Sequence, residues 1–254
     1  LSLLYFLFRI AIVTGGNKGI GLEICRQLAS NGIMVILTAR DEKRGFEIVE
    51  NLKACGLSGI LFHQLEVTDQ ASIASMADFI KNKFGKLDIL VNNAGISGSI
   101  IDEDAQKRLK LVDLVLNEKA EELSDTDSLT EEKVEEVLKR YLEDLKEDLL
   151  ETKGWPVNFA AYIMSKAALN AYTRVLAKKY PNIAINAVSP GFVKTDLNHH
   201  RGILTVEQGA KGPVMLALLP IGGPSGLFYD QMEVSTFSTR EITYLYHLLY
   251  VSIQ

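Results

Sequence analysis

Short apolar runs alternate with stretches of helical periodicity through the first hundred residues, and this alternation restricts the possible folds more than any other feature. Helices are predicted where apolar positions recur every three or four residues, over Gly21–Ser30, Glu42–Cys55 and Gln70–Phe84. Strands are predicted around them, over Ile10–Thr14, Ile33–Thr38, Ile60–Val67 and Leu87–Asn92. Strands that alternate with helices of this length form βαβ units. We therefore expect an α/β fold with a doubly wound parallel sheet and helices on both faces.

The alternation is interrupted between residues 101 and 151. This segment carries 18 acidic and 8 basic residues, whereas the rest of the chain carries 14 acidic and 19 basic residues. Within it, Thr130–Glu151 is predicted as one amphipathic helix that Ser128 or Thr130 caps. Its charged face is most simply the solvated side of a surface helix. The alternation then resumes, with a helix predicted over Ala160–Tyr180 and strands over Ile183–Val188 and Leu227–Tyr229.

The composition excludes several classes of protein. Hydrophobic residues make up 47% and charged residues 23%, as in globular rather than disordered chains. Two cysteines exclude a disulfide scaffold, and without an export signal we expect a cytoplasmic location. Leu1–Val13 and Ile242–Ile253 are shorter than the roughly 20 residues of a membrane-spanning helix. No basic patch indicates nucleic acid, and His199-His200 lacks a suitably spaced third metal ligand. We expect no membrane, nucleic-acid or metal partner.

A glycine-rich segment, Thr14–Gly21, lies between the first predicted strand and the first predicted helix. Glycines there allow a tight turn and a close approach to a pyrophosphate, which the free N–H groups of a helix N-terminus bind. Glycines alone are a weak signal, and a turn without a ligand is the alternative, but this position between strand and helix is specific. The sequence therefore predicts a Rossmann-type dinucleotide site that includes Gly15, Asn17, Lys18, Gly19, Ile20 and Gly21.

The end of the second predicted strand bears on which dinucleotide is bound. An NAD site usually places an acidic residue there for the ribose hydroxyls, whereas this chain has Arg40. A guanidinium can bind a 2′-phosphate through paired, charged hydrogen bonds, and Lys18 supplies a second cation. Although Asp41 follows directly, the pattern favours NADP(H) over NAD(H).

A tyrosine and a lysine lie four residues apart in the helix predicted over Ala160–Tyr180. This spacing places Tyr162 and Lys166 on one face of that helix. A nearby ammonium favours the phenolate and lowers the tyrosine pKa, so that the hydroxyl can exchange a proton near neutral pH. A tyrosine and a lysine with this spacing are common by chance, but downstream of a dinucleotide site the pair indicates a catalytic role more strongly.

Four motifs in this order resemble the short-chain dehydrogenase/reductase family. They are Thr14–Gly21, Asn92–Gly95, Tyr162 with Lys166, and Ser189–Gly191 with Thr195. Glu147–Pro156 and Gly202–Phe237 are further similar to the plant carbonyl-reductase branch typified by menthone reductase and salutaridine reductase. The resemblance covers residues 10–237 and leaves the tail, 238–254, outside. It implies one domain over residues 1–254, with a helical lid over residues 109–156.

The resemblance also implies roles for individual residues. Arg40 and Lys18 would bind the 2′-phosphate, and Lys166 would bind the nicotinamide ribose and tune Tyr162, the proton donor. Three further groups would line the cofactor: Glu66 and Val67 at the adenine, Asn93, Ala94 and Gly95 at its middle, and Pro190, Gly191, Val193 and Thr195 at the nicotinamide. Family members usually carry Asp at the position of Glu66.

The catalytic serine of the family has no obvious counterpart. Between Ile96 and Ala161 the serines are Ser97, Ser99, Ser124 and Ser128, and none follows an apolar strand. The relay asparagine of the family is also missing. The spacing to Tyr162 suggests that a block near Ala105–Arg108, a helix with the serine-bearing strand, is lost. Leu109–Leu116 is either a replacement strand or a helix.

Three functional hypotheses remain open at this level. The first is a monomeric NADPH-dependent carbonyl reductase, or alcohol dehydrogenase in reverse, that acts on a small apolar ketone or alcohol. The second is a non-catalytic NADP-binding protein, and the third is a truncated product without a stable fold.

Overall fold

A computed structural model of the protein describes residues 8–96, 122–123, 128–156, 160–235 and 249–251. The helices are α1 (Gly19–Ser30), α2 (Glu42–Ala54), α3 (Gln70–Lys83), α4 (Glu131–Lys146), α5 (Ala160–Lys179) and α6 (Val206–Ala217), with a 3₁₀ turn over Asp196–Asn198. The strands are β1 (Ile10–Val13), β2 (Met34–Ala39), β3 (Ile60–Gln64), β4 (Ile89–Asn92), β5 (Asn186–Ser189), β6 (Phe228–Asp230), β7 (Glu233–Ser235) and β8 (Leu249–Val251).

The strands form a single sheet in the order β3-β2-β1-β4-β8-β5-β6-β7. β1 pairs in parallel with β2 and β4, β2 with β3, and β5 with β6. Alternate residues of β1 point to opposite faces, as the pleat requires. Ala11 and Val13 pack in the core cluster that contains α1 and α6 residues, whereas Ile10 and Ile12 pack with α3 residues. The predicted α/β fold, with helices on both faces of a doubly wound sheet, is confirmed.

The sheet differs from a purely parallel one at two strands. β7 runs antiparallel to β6, and β8 lies antiparallel between β4 and β5. Both follow Leu227–Tyr229, so that predicted segment is not the last strand of the sheet. A parallel sheet with a gap between β4 and β5 would leave two interior ladders unpaired. Tyr250 sits opposite both Asn92 and Ala187 and thereby closes the gap.

The acidic helix is shorter than predicted. Thr130 caps it by accepting a hydrogen bond from the Lys133 N–H at 3.2 Å, but α4 ends at Lys146 rather than at Glu151. The backbone turns at Asp148, whose φ is +55°, although the apolar periodicity continues beyond it. The conformation of one residue therefore ends the helix.

The apolar face of α4 is a packed interface. Val134, Val137 and Tyr141 are buried against residues of α5 that include Met164 and Ala171. This contact places the helix over the element that carries the predicted tyrosine and lysine. The predicted replacement strand, residues 109–116, lies outside the described residues.

Candidate functional site

The glycine-rich loop after β1 has a geometry that only glycine allows at two positions. Gly15 adopts a φ of +64°, in the left-handed region that other residues rarely enter. A Cβ atom on Gly21 would lie 2.3 Å from Nδ2 of Asn93 and 2.4 Å from the Gly15 carbonyl oxygen. The loop therefore passes close to the chain that follows β4, and the N-terminus of α1 begins beside it. This cradle fits the pyrophosphate of a dinucleotide.

Asn93 holds this cradle together. Its side-chain amide donates to the carbonyl oxygens of Thr14 at 2.8 Å and Gly15 at 3.1 Å. The Thr14 hydroxyl in turn accepts from the backbone N–H groups of Asn93 and Ala94, both at 2.9 Å. The carboxyl ends of β1 and β4 are thereby fixed together. Ala94 and Gly95, which come next, are exposed at the same edge.

The two predicted phosphate-binding cations are exposed, and each lies near a carboxylate. Arg40 Nε is 3.7 Å from Glu66 Oε2, and Lys18 Nζ is 2.8 Å from Asp196 Oδ2. Hydrogen bonds from Thr68, with the nearby charge of Arg40, lower the pKa of Glu66. Glu66 and the exposed Val67 lie in the loop after β3, because β3 ends at Gln64.

Asp41 and Arg44 complete this region. The Asp41 side chain caps α2 by accepting a hydrogen bond from the Arg44 N–H at 3.0 Å. The acidic residue beside Arg40 therefore has a structural role at the helix N-terminus. Arg44 is a third cation that the sequence analysis missed, and its charge helps to lower the pKa of Asp196. Its place in the first turn of α2, directly after the loop that carries Arg40, is the signal that could have revealed it.

Tyr162 and Lys166 lie on one face of α5, as predicted. The Lys166 ammonium is 5.6 Å from the centre of the Tyr162 ring, and the Tyr162 hydroxyl oxygen is buried. Burial lowers the pKa of Lys166 from 10.5 to about 8. A lysine in this state still carries its proton at neutral pH and presents a weakly hydrated positive charge to the tyrosine.

The segment after β5 reaches back to the glycine-rich loop. Pro190, Gly191 and Val193 are buried, and Gly191 adopts a φ of +80°. Thr195 begins the 3₁₀ turn, where its side chain and that of Asn198 form a reciprocal cap. A Cβ atom on Gly19 would lie 3.7 Å from the Thr195 methyl carbon. The carboxyl ends of β1, β4 and β5 therefore meet at one edge of the sheet.

Of the serines considered for catalysis, the structure describes Ser128 alone, and this residue does not lie at the carboxyl edge of the sheet. Ser128 lies before α4, where its hydroxyl oxygen accepts from the Lys133 ammonium at 2.6 Å. Ser97, Ser99 and Ser124 lie outside the described residues. Within the described chain, β8 occupies the place beside β4 where the family resemblance implies a serine-bearing strand.

A glycine cradle at a helix N-terminus, together with a tyrosine–lysine pair on one face of α5, is typical of a Rossmann-type, nicotinamide-dependent oxidoreductase. Residues 9–139 match the family described as short chain dehydrogenase, and residues 149–211 match the one described as enoyl-(acyl carrier protein) reductase. The chain belongs to the short-chain dehydrogenase/reductase family.

Plant reductases are among its relatives. The chain is 47% identical to short-chain dehydrogenase/reductase 1 of Saponaria officinalis and 46% identical to the (+)-neomenthol dehydrogenase of Arabidopsis thaliana. Each comparison covers 90% of this chain, and 96% and 98% of the respective relative. These alignments run over 290 residues, whereas 90% of the 254 residues is about 229. Roughly 60 aligned positions of each relative therefore have no counterpart here.

A solved structure supports the fold assignment. Salutaridine reductase from Papaver somniferum superposes with a TM-score of 0.81 at 44% identity, covering 87% of this chain and 99% of that one. No helix among the described residues is long and apolar enough to cross a membrane.

Proposed function

We propose that this protein is an NADPH-dependent carbonyl reductase that acts on a small apolar ketone or, in the reverse direction, on the corresponding alcohol. The observation that carries the proposal is the buried Tyr162 hydroxyl beside Lys166 on α5. The relatives named as neomenthol dehydrogenase and salutaridine reductase support the class of reaction.

NADPH, when bound, supplies the hydride for the carbonyl carbon. The protein contributes the proton, which Tyr162 donates from its hydroxyl to the carbonyl oxygen. The resulting phenolate is stabilised by the Lys166 ammonium, 5.6 Å from the ring centre. Burial strengthens this interaction, since a charge with few water neighbours is screened less.

Arg40 and Lys18 support NADPH as the cofactor. Both are exposed cations at the carboxyl edge of the sheet, where a 2′-phosphate would exchange with the carboxylates that they now face. Fluorescence titration tests this point. Arg40→Ala is expected to weaken NADPH binding and to leave NADH binding nearly unchanged, and equal binding of NADPH before and after the substitution would contradict the assignment.

Turnover is tested with menthone and NADPH. Tyr162→Phe removes the proton donor and preserves the ring, so it is expected to abolish NADPH oxidation while NADPH affinity is retained. Absence of turnover by the natural chain above this variant would rule out the reductase proposal.

The second candidate is an NADP-binding protein without significant catalysis. The observation that favours it is β8, which fills the place between β4 and β5 with a strand that carries no serine (Leu249–Val251). Loss of one donor to the reacting oxygen typically costs about 10²–10³ in rate. NADPH binding with no turnover of any ketone would identify this candidate.

We further propose that α4 acts as a lid element and that the protein is a monomer. Val137 and Tyr141 pack against the buried residues on one face of α5, which leaves that face of α5 unavailable to a second subunit. Sedimentation equilibrium at micromolar concentration is expected to give the mass of one chain, 28.1 kDa. Two unpaired cysteines, Cys25 and Cys55, accord with a reducing, cytoplasmic location.

A further inference from the structure

One ion pair connects two distant segments at the edge where the cofactor is proposed to bind. Lys18 of the glycine-rich loop donates from Nζ to Oδ2 of Asp196 at 2.8 Å, across 178 positions of sequence. The neighbouring residues are also close, since a Cβ atom on Gly19 would lie 3.7 Å from the Thr195 methyl carbon. The turn after β5 therefore lies across the N-terminus of α1.

Asp196 is placed there by a hydrogen-bonded turn. The Thr195 N–H donates to the Asn198 side-chain oxygen at 3.2 Å, and the Asn198 amide donates to the Val193 carbonyl at 2.8 Å. The Lys194 N–H donates to the Leu204 carbonyl at 2.8 Å and closes the base of the segment. Because the backbone is fixed in this way, the carboxylate of Asp196 is directed toward the glycine-rich loop.

The carboxylate faces several basic side chains. Lys18 contributes most to the lowering of the Asp196 pKa, and His200 and Arg44 contribute by their charges. The His200 ring nitrogen lies 3.3 Å from Oδ1. The ionised Asp196 carboxylate thus pairs with an ammonium group that the phosphates of the cofactor would otherwise bind.

We propose that Asp196 is a specificity-determining residue that competes with the phosphate groups of the cofactor for Lys18. This inference rests on the proposed use of NADPH. The 2′-phosphate adds negative charge that NADH lacks, so an internal carboxylate beside the binding cations opposes NADPH more than NADH. Asp196 acts through Lys18 and has no part in the chemical step.

The ion pair is exposed on both sides, with 53% of the Lys18 side chain and 56% of the Asp196 side chain accessible. Exposed pairs are weak, so the competition corresponds to about a two- to fivefold change in dissociation constant. That range is measurable by fluorescence titration with NADPH and NADH in parallel.

The experiment compares the natural chain with Asp196→Asn and, as a charge-preserving control, Asp196→Glu. Asp196→Asn is expected to lower the Kd for NADPH about two- to fivefold and to change the Kd for NADH less. Asp196→Glu keeps the negative charge, so its Kd for NADPH is expected to stay near that of the natural chain. In a Lys18→Met background, Asp196→Asn is expected to lose most of its effect, because the shared partner is gone.

The inference would be overturned if Asp196→Asn binds NADPH no more tightly than the natural chain while its thermal unfolding is unaltered. It would also be overturned if Asp196→Asn raises the affinity for NADPH equally in the Lys18→Met background. If the natural chain prefers NADPH and Arg40→Ala removes that preference, this failure concerns Asp196 alone. If the natural chain binds neither cofactor, or Arg40→Ala changes nothing, the proposed function and the inference fail together.

Discussion

Replacement of Lys166 by methionine is expected to stabilise the fold while it abolishes catalysis. The methionine preserves most of the apolar length of the side chain and removes a charge that burial makes unfavourable. Burial lowers the pKa of Lys166 from 10.5 to about 8. At about 1.4 kcal/mol for each pKa unit, the charged lysine costs about 3 kcal/mol in the folded state at neutral pH.

The effect depends on pH with a defined sign. Below pH 8 Lys166 is protonated in both the folded and the unfolded chain, and the folded state is destabilised by the full free energy of burying the charge. Between pH 8 and 10.5 the unfolded chain retains the proton that the folded chain has released, so the natural chain becomes more stable as the pH rises. Lys166→Met removes this dependence. The advantage of the variant should therefore be largest at pH 7 and smaller at pH 9.5.

Urea unfolding at the two pH values measures the difference. The sole tryptophan, Trp155, is buried and serves as the fluorescent reporter. Lys211→Met, on the exposed side of α6, is the matched control and should leave the free energy of unfolding nearly unchanged at pH 7. A Lys166→Met variant that is less stable than the natural chain at pH 7, or equally stabilised at both pH values, would refute the reasoning.

Three further substitutions test the other structural elements. Tyr250→Pro removes a backbone donor from β8 and should destabilise the fold by about 1–3 kcal/mol in urea unfolding; Tyr250→Phe keeps that donor, and equal losses in both variants would contradict the pairing. Trp155→Phe removes the donor to the Asp144 carboxylate at 2.7 Å, with an expected loss of about 1–3 kcal/mol followed by circular dichroism. Gly21→Ala places a methyl group 2.3 Å from the Asn93 amide, so it should lower the free energy of unfolding by about 1–3 kcal/mol. Because the same contact shapes the proposed pyrophosphate site, the variant should also lose the thermal shift produced by NADPH. An undiminished thermal shift would show that the loop tolerates the change.

Much of the fold follows from local patterns in the sequence. The bounds of β1–β4 and of α1–α3 lie within three residues of those predicted, because apolar periodicity and capping residues act over a few positions. The Tyr162 and Lys166 pair is equally local, since four residues make one helical turn. The glycine requirement at Gly21 was recognisable from its position between a strand and a helix.

The features that the sequence analysis missed depend on distant partners. β8 is three residues long, and its pairing with Asn92 and Asn186 leaves no periodic signal in Leu249–Val251. The contact between Lys18 and Asp196 joins residues 178 positions apart. The early end of α4 depends instead on one backbone angle at Asp148, which a helical apolar pattern does not encode.

The position of β8 also sets the order in which the protein can fold. β4 and β5 are joined through β8, so the half-sheet β3-β2-β1-β4 and the half-sheet β5-β6-β7 become continuous only when Leu249–Val251 inserts. Such pairing closes long loops and is slow compared with local structure formation. Until it occurs, β4 and β5 each present an open edge to other chains. We expect refolding yields that fall with protein concentration, because intermolecular strand pairing competes with the insertion of β8.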